Sequence, residues 1–215
     1  MYARLLGLVC LLSINVQATG FETNQTASVN VYIKSNEQSS SPVLSGMRRE
    51  LVSLLRRVGV QVDFWIPEHR LSSVDGLLVV VDFRGKCEAP EAQVETLRRN
   101  NVAPLAASAV ADGRVLPFSW VDCAAVNSFL SDSMVSMSGP QRVSVYGRAL
   151  ARLLAHEIYH VVTQHVDHQV SGVAKARFTA RDLTSDGFDF LGSTLASPLS
   201  HDHPSSRGLD LVAGR

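Results

Sequence analysis

Residues 156–160 read His-Glu-Ile-Tyr-His, so two imidazoles stand four positions apart with a carboxylate beside the first. On an α-helix, positions four apart are neighbours on one face, and both rings can reach one point in space. A neutral imidazole is a good zinc ligand, and a carboxylate next to the metal can take a proton from its water. The pattern points to metal-assisted hydrolysis, with His156 and His160 as zinc ligands and Glu157 as general base. A wheel at about 100° per residue supports this placement. Val143, Tyr146, Leu150, Leu153, Leu154, Ile158 and Val161 form an apolar stripe. The two histidines fall on one flank, roughly 100° from the centre of that stripe, with Glu157 between them and the centre. A pair at the edge of a buried face can line a cleft.

A catalytic zinc takes a third protein ligand and keeps a fourth position open. No Glu follows Glu157, which leaves His165, Asp167, His168, Asp182, Asp186 and Asp189 as candidates. On a continued helix His165 faces away from His156. His168 precedes Ser171-Gly172, where the chain can turn back, so reach favours His168. His201 and His203 read as solvated residues of the tail. Tyr159, Lys175 and Arg181 are candidate donors to a tetrahedral oxyanion, with Lys175 preferred because it follows the flexible Gly172.

These residues need a frame, and the chain offers one of alternating strands and helices. Val29, Val31 and Ile33 alternate with polar neighbours as in a strand. Leu44, Met47, Leu51, Leu54, Leu55 and Val58 recur at helical spacing over 43–58, with arginines on the other face and Gly59 as a stop. Val60, Val62 and Phe64 alternate again. Residues 76–83 hold a continuous apolar run suited to a strand buried on both faces. Two further strands are expected over 102–111 and 115–121, joined by Asp112-Gly113, although Pro117 sits within the second. Asp122 can cap a short helix to about Leu130. Pro140 then opens the long helix to Gln164 that carries the motif. A last helix is expected over 180–190.

Met1–Ala18 reads as a secretory signal peptide: Arg4, an apolar stretch to Val16, and Val16-Gln17-Ala18 before the cut. That stretch is shorter than the ~20 apolar residues of a membrane span. Residues 19–191 are expected to form one domain and 192–215, rich in Ser, Gly and Pro, a loose tail. Export to the periplasm or the exterior follows. Cys10 leaves with the leader, and in an oxidising compartment Cys87 and Cys123 pair as a disulfide. Twenty basic and twenty acidic residues give a net charge of zero, which disfavours nucleic acid and anionic membrane surfaces as partners. No stable membrane insertion is expected once the leader is cut.

The motif helix resembles the active-site helix of the zincin metalloproteases. The order strand, helix, strands, motif helix is similar to a zincin N-terminal lobe. The chain is also similar to a group of exported bacterial proteins with the same motif. The shared landmarks are Phe83-Arg84-Gly85 with Cys87, Pro117-Phe118, Val121-Asp122-Cys123, and His168 followed by Gly172-Val173-Ala174-Lys175. The resemblance implies an α+β fold: a mixed sheet of about four to five strands, a backing helix, the long HExxH helix and a short C-terminal segment. It implies zinc held by His156, His160 and His168, Glu157 as general base, and a peptide or protein substrate. Val166 and Thr163 replace the third His and the Gly of the metzincin pattern, and no Met follows His160, so the likeness is to zincins at large. A second reading is an exported zinc-binding or interaction protein without catalysis, and a third a disulfide-stapled domain without metal. Glu157 separates the first two, and chelation separates the third.

Overall fold

The computed structural model describes residues 27–34, 41–65, 76–91, 104–169 and 171–188. The expected leader, Met1–Ala18, and the tail 192–215 lie outside the described residues. Period-two apolar residues build the sheet: β1 (Ala27–Lys34), β2 (Val60–Trp65), β3 (Leu77–Arg84), β4 (Ala106–Ala111) and β5 (Arg114–Asp122). Their order is β2-β1-β3-β5-β4. The first four are parallel neighbours, and β4 runs antiparallel to β5 at the edge. The architecture is α+β with a five-stranded mixed sheet, as expected.

Helix α1 (Ser41–Arg56) crosses over between β1 and β2. Gly59, at φ +76°, lets the chain reverse into β2. Val43, Met47, Leu51, Leu54 and Leu55 on α1 are buried with Val29, Val31, Val60, Val62, Val79, Val81 and Phe83 from one sheet face. On the other face Tyr32 packs on Trp65 at 4.8 Å between ring centroids, and Arg84 lies 4.3 Å over the Trp120 ring. Leu78 and Val80 are only partly covered, so β3 alternates where burial on both faces was expected.

The β4–β5 hairpin turns on Asp112 and Gly113, at φ +50° and +73°, the turn read from the sequence. Its ladder is irregular. Ser108 pairs with Ser119 and Val110 with Val115, so Ala109 alone faces Leu116, Pro117 and Phe118. Pro117 therefore lies in a bulge, and β5 begins to pair with β3 only at Phe118. A proline there removes no ladder hydrogen bond.

Asp122 caps α2 (Cys123–Met134) by accepting from Ala125 N at 2.9 Å, and the helix runs past Leu130 to Met134. Cys87, just after β3, is bonded to Cys123 at the start of α2, with 5.0 Å between the Cα atoms. Helix α3 (Gly139–Thr163) starts with a capping box between Ser138 and Gln141, with Pro140 in its first turn. It packs on α1 so closely that a Cβ on Gly147 would stand 2.8 Å from Val43 O and 3.1 Å from Met47 N. The last helix, α4 (Ala180–Thr184), is shorter than the expected 180–190. Ser185 N already donates back to Arg181 O, and Ser185 is extended. Among the described residues no helix is long and apolar enough to cross a membrane.

Candidate metal centre

The last two turns of α3 carry His156, Glu157 and His160 beneath the sheet edge, all three buried. Thr163 ends the helix and Gln164 follows in the left-handed region, at φ +56°. A non-glycine residue costs about 1–2 kcal/mol there. Its side chain offsets this by donating to Val161 O at 2.8 Å and Val115 O at 3.0 Å, which ties the helix end to β5. The reversal turns the His165 carbonyl back onto the helix and carries His168 over the two buried rings.

The ligand atoms of His156, His160 and His168 all lie within 4.8 Å of one another. His168 stacks on His156 with centroids 5.2 Å apart and meets His160 edge-on at 4.9 Å. His168 itself is exposed, so the cluster opens to solvent on its side. Two backbone carbonyls set the protons of the other two rings. His156 Nδ1 lies 2.6 Å from Val173 O and His160 Nδ1 2.6 Å from His165 O. A carbonyl only accepts, so each Nδ1 carries the hydrogen and each Nε2 carries a lone pair. The two Nε2 atoms then face one another at 3.0 Å. Two lone pairs at that distance repel unless a cation lies between them.

Burial favours the uncharged form of both rings. It lowers the His156 pKa to about 4, with His160 and His168 acting the same way and the Val173 carbonyl opposing. His160 is lowered by burial too, against the His165 carbonyl. Glu157 is pushed up to about 7 by burial, while hydrogen bonding from Ser108 acts downward. Its Oε2 accepts from Ser108 Oγ at 2.7 Å, and Ser108 Oγ lies 2.9 Å from Ser119 Oγ. Among the described residues the Glu157 carboxylate stands outside the three-imidazole cluster.

The segment after the motif forms the outer wall. Gln169 N donates to Ala174 O, and Gly172, at φ +73°, makes the turn that presents the Val173 carbonyl to His156. Phe178 stands edge-on to His156 at 5.3 Å. Arginines one and two helical turns before the motif hold this wall. Arg152, fully buried, donates to Asp182 O at 2.7 Å, reaches Glu50 at 3.4 Å and lies 4.6 Å over the Phe188 ring. Arg148 donates to Thr184 O, Ser185 O and Asp186.

Of the candidate third ligands, His168 alone joins His156 and His160 among the described residues. His165 and Asp167 are exposed outside the cluster. Asp182 is engaged by Lys175 and Thr179, and Asp186 by Arg148. Asp189, His201 and His203 lie outside the described residues. The oxyanion candidates are not gathered: the Lys175 ammonium is 2.5 Å from Asp182, Arg181 is exposed, and Tyr159 is buried against the His160 ring. Sequence reasoning missed Ser108 and Ser119, whose strand pattern carries no sign of their partner. It also missed Arg148 and Arg152.

No family model matches the chain, and neither a curated protein nor a solved structure matches it.

Proposed function

We propose that His156, His160 and His168 hold a zinc ion and that the chain is an exported zinc-dependent peptidase of zincin type. The observation that carries the metal site is the pair of Nε2 lone pairs facing at 3.0 Å, with both Nδ1 hydrogens engaged elsewhere. Three imidazoles with an open side suit zinc, which commonly takes nitrogen ligands in sets of three at catalytic sites. Zinc bound there supplies a Lewis acid that polarises a scissile carbonyl and acidifies water.

The chain's own residues do the rest. The carbonyls of Val173 and His165 fix the ring orientations, as partners of the non-ligating nitrogens do in metal sites. Glu157, beside the cluster, takes a proton from the attacking water and passes it to the leaving amine. Strand β4, at the sheet edge, reaches Glu157 through Ser108, and an extended peptide would bind by adding alongside it. The leader read at 1–18 and the Cys87–Cys123 bond favour an oxidising destination.

Metal content of the purified protein tests the site. One zinc per chain is expected in the wild type, with loss in His156→Ala and His168→Ala. Glu157→Gln is expected to keep the metal and lose peptide hydrolysis by about 10³-fold or more, within the range of general base catalysis. A folded wild type purified without chelator and free of metal would overturn the reading. The second reading, a metal-binding protein without catalysis, draws on the Lys175 ammonium, the preferred oxyanion donor, which is engaged by Asp182. It predicts that Glu157→Gln changes nothing.

A further inference from the structure

We propose that Ser108, backed by Ser119, is a positioning residue for Glu157: it holds one carboxylate oxygen so that the other is the oxygen that acts as base. The inference rests on the peptidase reading for what the base does, and on the structure alone for how it is held.

Ser108 has one hydroxyl hydrogen. In the form that acts as a base Glu157 is ionised and only accepts, so the 2.7 Å contact with its Oε2 takes that hydrogen. The 3.4 Å approach of the same hydroxyl to the Glu157 carbonyl is the longer branch of this donation. Ser119 Oγ, 2.9 Å away, must then donate to Ser108 Oγ. Ser119 is 3% exposed. The hydroxyl pair therefore has one polarity, running from Ser119 through Ser108 to Oε2. Oε1 makes no hydrogen bond among the described residues.

The strand irregularity supports this role. Ser108 and Ser119 are direct cross-strand partners, and the register shift begins immediately after them. A bulge re-aims side chains locally, and such features recur beside active sites. Two buried or half-buried serines facing one carboxylate are otherwise a poor choice for a strand next to a core. Valine or threonine would suit the sheet better.

The experiment compares wild type with Ser108→Ala, Ser108→Thr and Ser119→Ala, each confirmed to carry one zinc per chain. kcat and KM are measured on one internally quenched peptide that the wild type cleaves, and crystal structures of wild type and Ser108→Ala are solved. Ser108→Ala is expected to lower kcat about tenfold, equivalent to about 1.4 kcal/mol, with KM and metal content unchanged. Threonine keeps the hydroxyl, and Ser108→Thr is expected to recover most of the loss, with Ser119→Ala in between. In the alanine variant the Glu157 carboxylate is expected to leave its wild-type orientation. An unchanged kcat with an unmoved carboxylate would overturn the proposal. So would a threonine variant as poor as alanine, which would mark a packing effect, or a change confined to KM, which would mark a substrate contact. If the wild type cleaves no peptide but the carboxylate still turns in Ser108→Ala, positioning stands and the peptidase reading fails.

Discussion

His156 and His160 each donate Nδ1–H to a backbone carbonyl, so on the proposed reading removal of a bound ion would expose two facing lone pairs in a buried place. Chelation is therefore expected to lower the melting temperature of the wild type. In His156→Ala, which lacks one of the two lone pairs, a chelator is expected to change it little; differential scanning calorimetry with and without chelator reads this. His168 differs from its partners in standing exposed on the chain after the helix. His168→Ala is expected to weaken zinc by about 10²-fold or more in a chelator competition while the fold stays intact, since second-shell losses alone reach that order. At this scale the histidine pair and the carboxylate beside it were legible because spacing on one helix is a local property. The third histidine was legible only as a preference from reach, since Gln164 reverses the chain in a left-handed conformation that glycine or asparagine usually marks. Ser108 was not legible at all. It meets Glu157 across 49 residues, and only sheet register makes that meeting.

The motif helix is positioned by contacts that show where each element tolerates change. Gly147→Ala gains helix propensity but sets a Cβ against the α1 backbone at Val43 and Met47. The clash outweighs the gain, and a net loss of about 1–3 kcal/mol is expected in chemical denaturation. The outer wall depends on Asp182, which accepts from Lys175 and from both donors of Thr179. Burial alone would raise this carboxyl, but those hydrogen bonds and the Lys175 charge hold it below the usual aspartate range. A depressed carboxyl stabilises the fold above its unfolded pKa and loses that effect as pH falls through the folded one. Asp182→Asn is thus expected to be less stable than wild type at pH 6, with the gap closing below about pH 4. Denaturation midpoints across that range check it. Helix and hairpin periods made most elements readable, including the Asp112-Gly113 turn. The length of α4 was not readable: Phe188 continues the apolar spacing past Ser185, yet its ring lies on Arg152 rather than on a longer helix.

Across the whole molecule, the Cys87–Cys123 bond joins the end of the central strand to the start of α2 across 36 residues. In the chain-entropy account a loop of that length stabilises by about 4 kcal/mol. The double Cys→Ala variant is expected to lose about that much in urea, and reduction of the wild type should act in the same direction. Pairing was legible from cysteine number and the expected destination. Strand order was not, because β1 lies between β2 and β3 and β5 between β3 and β4, and no local pattern encodes such neighbours. The same contrast in span has a consequence for the order of folding. The three imidazoles lie within residues 156–168, and one of the two orienting carbonyls, that of His165, lies among them. Contacts this close in sequence close early, whereas the parallel sheet waits on distant partners. A nascent chain can thus gather its metal set first. Glu157 gains its hydroxyl partner only when the hairpin docks, so on the proposed reading ion capture would precede alignment of the base, and an immature molecule would hold its metal with the carboxylate still unaimed.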